Sequence, residues 1–213
     1  NSLDAVHKWS RRWKLPLSPT KCQVVPFGST GKATCALRIG LQTMPVVSEA
    51  TYLGVTFDAS GTWIPHFNAI VADVSQRIHC LRHLANRTST ETKRLIYLTT
   101  IRPKMEYCCA AWIDASYFQK VRLIRLQHEA LRLVLGVPRR LHLDEQELCR
   151  RANLPPLEKR WAEVSAAFAC RALSTTPPVG QLIMDQRGLA VAHGMPLGRF
   201  SRLVQFGPSV GSA

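Results

Sequence analysis

The hydrophobic pattern of this chain changes period once, near Gly61, and that change constrains the fold more than any other feature. Before Gly61, apolar residues come in short runs broken by Gly and Pro; beyond it they recur about every 3.6 residues to about residue 173. A short strand-forming part followed by a long helical part predicts an α+β chain: a small antiparallel sheet, then a mainly α-helical bundle.

In the first part, Leu3, Val6, Trp9 and Trp13 fall at helical spacing among Lys8, Arg11, Arg12 and Lys14. Residues 2–14 therefore read as an amphipathic helix, stopped by Pro16 and Pro19. Residues 22–27 read as a buried strand, and 36–41 and 51–57 as two further short strands. Gly28-Ser29-Thr30-Gly31-Lys32 reads as a turn. A P-loop would need Gly where Pro26 stands and Ser or Thr where Ala33 stands.

Beyond Gly61 the first helix covers 63–85, with Phe67, Ile70, Val74, Ile78, Leu81 and Ala85 as its apolar stripe. Thr88 and Glu91 have capping-box spacing and open a second helix that ends near Arg102-Pro103. Further helices are expected at 104–112, at 119–135 before Gly136 and Pro138, at 144–152 and at 158–173. Residues 174–213 lose periodicity and read as a linker or disordered tail.

Charge narrows the partners. Lys and Arg number 28 against 14 Asp and Glu, and the resulting +14 is spread as +8 over residues 1–106 and +6 over 107–213. Such a surplus points to a polyanion, nucleic acid before an anionic membrane surface. No apolar run is long enough for a membrane span, so a soluble chain without membrane attachment is expected. On the helix at 119–135, Arg122, Arg125 and Arg132 fall within about a quarter of the circumference, beside an apolar face of Val121, Ile124, Leu131 and Leu135. Arg139 and Arg140 extend the basic set. A solvated arginine face is the alternative reading; the overall charge favours phosphate contact.

Chemistry-bearing clusters are few. Cysteines at 22, 35, 80, 108, 109, 149 and 170 form no CxxC pair, so small buried thiols in a reducing intracellular compartment, nuclear or cytoplasmic, are expected. His79 and His83 stand four apart without a third ligand, which predicts no metal site. Asp58 and Asp73 have no neighbouring carboxylate, whereas two-metal catalysis needs converging ones. Core packing is expected for all five tryptophans, Trp9, Trp13, Trp63, Trp112 and Trp161. Asn1 in place of Met, with no signal pattern, suggests a fragment.

The order of these elements resembles the reverse transcriptases of non-LTR retrotransposons. The resemblance rests on the helix at 1–14, the turn Leu15-Pro16-Leu17-Ser18-Pro19-Thr20-Lys21 and the strand at 23–27. Tyr52-Leu53-Gly54-Val55-Thr56-Phe57-Asp58 follows, with Trp63 and His66. Then come Ile101-Arg102-Pro103-Lys104-Met105-Glu106-Tyr107 with Ala111-Trp112, and Leu126-Gln127-His128-Glu129-Ala130-Leu131-Arg132 with Leu135-Gly136-Val137-Pro138-Arg139.

The resemblance implies the end of a polymerase palm at 1–60, a thumb and connection-like region at 61–173 and a linker or tail at 174–213. It implies that Lys21 lies near the incoming nucleotide and assists pyrophosphate departure in a supporting catalytic role. It also implies that Tyr52, Leu53, Gly54 and Val55 form a primer-grip-like hairpin, and that the helices hold an RNA template–DNA primer hybrid by its backbone. The family's catalytic aromatic-x-Asp-Asp turn has no match here. The implied protein is thus a C-terminal fragment without a cofactor of its own, dependent on upstream fingers and palm, with Mg2+ expected for the full-length parent. A non-catalytic basic helical nucleic-acid-binding module, or a decayed retroelement relic, remains open on the residues alone.

Overall fold

The amphipathic opening segment forms helix α1, Ser2–Arg12, with Asp4 in its first turn and Arg11 and Arg12 in its last, each complementing the helix dipole. In this computed structural model the described residues are 2–18, 21–28, 37–138 and 140–175. Most of the predicted turn at 28–32, the tail beyond Thr175 and Arg139 lie outside them. The chain separates into two compact units after Ala69.

In the first unit, β1 (Arg38–Ile39) pairs with β2 (Gln42–Thr43), and β3 (Glu49–Tyr52) pairs with β4 (Val55–Asp58). Both pairs are antiparallel, but they are separate two-stranded hairpins. The segment expected as a single strand at 51–57 turns back on itself at Leu53-Gly54. Both residues have positive φ, 48° and 77°, as a two-residue hairpin turn of matching twist requires. The strand expected at 22–27 is reduced to one parallel bridge, Val24 with Val46. Pro26 has no N–H for a ladder, and Phe27 is exposed.

Helix α1 turns a different face inward from the expected one. Leu3 and His7 are half-buried and Ser10 is buried, while Trp9 and Trp13 are 54% and 61% exposed. The turn of the first hairpin explains this choice. Gly40, at φ 61°, comes so close to α1 that a Cβ there would lie 2.9 Å from the His7 ring. The His7–Ser10 side of the helix therefore meets β1, and the Trp9–Trp13 stripe is left outward. The expectation that every tryptophan is core is overturned at these two positions.

Helix α2, Ile64–Leu84, begins just before the division between the units and continues past it. Phe67, Val74, Ile78 and Leu81 of its stripe are buried. α3 (Thr90–Ile96), a π-helical turn (Tyr97–Ile101) and α4 (Arg102–Glu106) form one continuous helical run. The cap lies one residue later than expected: Ser89, not Thr88, accepts from the Thr92 N–H at 3.2 Å. Pro103 does not end the run. It sits in the first turn of α4, where its missing N–H costs least, and the preceding π turn bonds the Arg102 N–H to the Tyr97 carbonyl. The helix expected to 112 stops at Glu106, because Tyr107 is extended and Cys108 has φ 54°.

α5 (Tyr117–Leu135), α6 (Glu145–Ala152) and α7 (Leu157–Thr175) complete the second unit. Ser116 and Gln119 close a capping box on α5, and Gly136 ends it in the left-handed region. The core gathers around Trp112 and Trp161, whose rings meet edge to face at 5.4 Å. Trp161 Nε1–H also donates to the Met105 carbonyl at 2.8 Å. Of the six described cysteines, all free, only Cys109 and Cys149 are buried. Cys80, Cys108 and Cys170 are exposed, which corrects the expectation of uniformly buried thiols.

Candidate nucleic-acid interface

The buried face of α5 consists of Leu123, Ala130, Leu131 and Val134, with Gln127 at its centre donating to Cys149 Sγ at 3.0 Å. Val121, Ile124 and Leu135, expected in the core, are only half-buried on its flanks. Opposite the buried face run Phe118, Arg122, Arg125, Glu129 and Arg132, a stripe at i, i+4, i+7, i+11 and i+14. Phe118 and Arg125 are exposed and the other three half-buried.

These residues have different surroundings. Glu129, the stripe's one carboxylate, is paired with Arg82 of α2. Arg132 gives its guanidinium to the carbonyls of Pro138 and Leu141 at 2.8 and 2.7 Å, fixing the loop that carries exposed Arg140. Carbonyl acceptors leave its charge intact, so Arg132 positions this loop while still contributing to the positive potential. Beside it, an open depression of about 700 Å3 is lined by His128, Glu129, Arg132, His142, Leu143 and Asp144. Asp144 is occupied there as the N-cap of α6, accepting from the Glu147 N–H at 2.7 Å. On α6, hydrogen bonds from Arg150 and then Arg151 hold the Glu147 carboxyl down at about 2. Those two arginines are thereby committed to an ion pair.

In the first unit, Lys21 is exposed, its N–H bonded to the Ser18 carbonyl at 3.0 Å. The β3–β4 hairpin presents Tyr52, Leu53 and Gly54 at an exposed tip, while Val55 is buried and anchors it. Thr51 and Thr56 face each other across the strands, with their hydroxyls 3.0 Å apart.

Sequence reasoning missed the role of Asp58. Its carboxylate accepts from the N–H groups of Thr62 and Trp63 and from the Thr62 hydroxyl, all at about 3 Å. Burial pushes this carboxyl up, but the hydrogen bonds outweigh it and leave it below its ordinary value. They hold Trp63 at φ 63° and its ring 5.5 Å from Phe57, at the entry to α2. His66 accepts the Thr56 N–H on Nδ1 at 3.3 Å, and burial lowers its pKa. The spacing of Asp58, four before Thr62 and just ahead of a helix, was the available signal.

Asp73 is bound to Arg77 at 2.8 Å and to Lys104 at 3.5 Å. With Asp58 committed to backbone donors, neither carboxylate fits a divalent-cation site. Among the described residues no cluster of three or more metal-ligating side chains occurs. His79 and His83 instead bond to one another, Nε2 to Nε2, at 2.9 Å.

Fold and charge together define a mainly helical α+β chain with a basic stripe on one helix. No protein-family model matches it, and no solved structure does. Over 176 residues, 79% of this chain, it is 30% identical to a Drosophila melanogaster protein named "Probable RNA-directed DNA polymerase from transposon BS". Over 141 residues, 64% of the chain, it is 27% identical to the RNA-directed DNA polymerase from mobile element jockey of Drosophila funebris. The matched segments cover 19% and 15% of those two proteins. The chain is homologous to part of the RNA-directed DNA polymerases of non-LTR transposons.

Proposed function

We propose that this chain is the C-terminal part of a non-LTR retrotransposon reverse transcriptase, the end of the palm and the thumb-like helices after it, and that it grips the template–primer hybrid during DNA synthesis. The observation that carries this reading is the 30% identity over 79% of the chain to a transposon RNA-directed DNA polymerase. The Arg122–Arg125–Arg132 stripe and the net charge of +14 supply the physical means, phosphate contact along one helix. The exposed hairpin tip at Tyr52–Gly54 suits a primer-end contact, and Lys21 a supporting role beside the nucleotide.

The catalytic carboxylates and their Mg2+ belong, in this reading, to an upstream palm of the same polyprotein in an intracellular setting. The outward Val6, Trp9, Trp13 and Leu15 on and after α1 supply an apolar surface for that palm. Among the described residues no helix is long and apolar enough to cross a membrane.

The test is binding of an RNA–DNA hybrid by the purified chain across a salt titration. Affinity should fall steeply and log-linearly with salt, and the double variant Arg122→Glu/Arg125→Glu should weaken it at least tenfold. Absence of binding at low salt, or indifference to both changes, overturns the reading. A non-catalytic nucleic-acid-binding module is the second reading, favoured by the stripe lying wholly on α5. It predicts that the hybrid and a DNA duplex bind equally well.

A further inference from the structure

Phe118 is 84% exposed and Tyr117 is 69% exposed, side by side in the first turn of α5. A burial argument does not explain Phe118. It lies opposite the face of Leu123, Ala130 and Val134, on the same stripe as Arg122, Arg125 and Arg132. The capping box of Ser116 and Gln119 fixes the start of the helix, so the ring stands on a rigid element. From Phe118 to Arg132 the stripe runs roughly 21 Å at the helical rise. Its carboxylate, Glu129, is neutralised by Arg82. An aromatic face followed by a line of cations matches a strand whose bases are free to stack and whose phosphates run alongside. A paired duplex keeps its bases stacked internally and offers such a ring only its edge.

We propose that this stripe is a single-strand nucleic-acid site: an unpaired base stacks on Phe118 and its neighbouring phosphates lie along Arg122 and Arg125. The proposal rests on the reading of this chain as a nucleic-acid-binding segment and adds to the hybrid, held by its phosphates on the same arginines, an unpaired stretch of strand and the residue that distinguishes it. Charge selects the polyanion; the ring selects the unpaired form.

The experiment measures fluorescence anisotropy of a 12-nucleotide single strand and a 12-base-pair RNA–DNA hybrid with the full chain. Phe118→Ala should weaken the single strand by about tenfold, within the range for loss of one stacked base, and leave the hybrid within about twofold. Phe118→Trp should preserve or tighten single-strand binding. Arg125→Glu should weaken both. Circular dichroism controls for folding, and Phe118→Leu separates stacking from mere bulk. Single-strand affinity unchanged in Phe118→Ala, or restored fully by Phe118→Leu, overturns the stacking site. Equal loss of both ligands in Phe118→Ala also overturns it. Hybrid binding without any single-strand binding defeats this inference alone, whereas binding of neither ligand defeats the proposed function as well.

Discussion

The two compact units are stabilised by different means. Residues 70–175 contain nearly all of the largest fully buried side chains, among them Tyr97, Ile101, Met105, Trp112, Leu131 and Trp161. Among the described residues of 1–69, Phe67 alone joins that set. The first unit depends instead on particular backbone conformations and the polar groups that hold them: Leu53 and Trp63 at positive φ, Gly40 against His7, and Asp58 on three donors. A packed core tolerates local irregularity such as the π turn before Pro103. A hairpin unit with a small core depends on each turn and cap.

The strongest way to break the helical unit is through its tryptophan pair. Trp161→Ala removes a fully buried ring, its edge-to-face contact with Trp112 and the bond to the Met105 carbonyl. A loss of about 3–5 kcal/mol is expected, read as the fall in the urea midpoint at constant slope. A loss under about 1 kcal/mol, the scale of an exposed site, would contradict a core centred there.

In the hairpin unit the equivalent pressure point is polar. Asp58→Ala releases the Thr62 and Trp63 N–H groups and should cost about 1–2 kcal/mol, the scale of a helix cap. Asp58→Asn keeps one acceptor and should cost less. Loss of the Phe57–Trp63 contact should accompany the Ala change, visible as a shift in tryptophan emission. If only residues 70–175 lose hydrogen-exchange protection in the Asp58→Ala variant, the comparison between the units fails.

The hairpin unit also carries a pH dependence of its own. The pKa values of Asp58 and His66 are both lower in the folded chain, so the unfolded chain binds more protons and stability rises with pH. His66 contributes fully above its unfolded value near 6.5 and loses that contribution as pH falls from there through its lower folded value. Asp58 does the same below about 4. Urea midpoints should therefore drop between pH 7.5 and 5.5, and His66→Gln should flatten that part of the profile. An unchanged profile in His66→Gln would remove His66 from the account.

Much of the helical unit was legible because its signals are local. Gly136 ends α5 by a mechanism confined to one turn, whereas the Ser116–Gln119 capping box, which starts the helix at Tyr117 rather than at the expected 119, went unread. The π turn was not legible, since Pro103 ordinarily signals a stop and only the register of the whole run shows otherwise. The inward face of α1 was also hidden. Leu3, His7 and Ser10 form a poorer hydrophobic pattern than Val6, Trp9 and Trp13, and only the close approach of Gly40 selects them. Of the candidate interface, the arginine stripe could be read from periodicity. Phe118 could not, because one aromatic residue at a helix start looks the same whether it packs inward or stands exposed.

The smallest effect bears most directly on whether the hairpin tip contacts a ligand. Leu53 occupies the left-handed region, where a branched side chain is strained, at the first position of a turn that favours Asn-Gly. Leu53→Asn supplies that pair and should stabilise the chain by about 0.5–1 kcal/mol. At 73% exposure, burial of the side chain does little to offset that strain. The same variant should therefore be more stable yet bind a hybrid with a recessed primer end less tightly, by a few-fold. Greater stability with unchanged primer-end affinity would leave the strain of Leu53 without a ligand to explain it and would limit nucleic-acid contact to the helical unit.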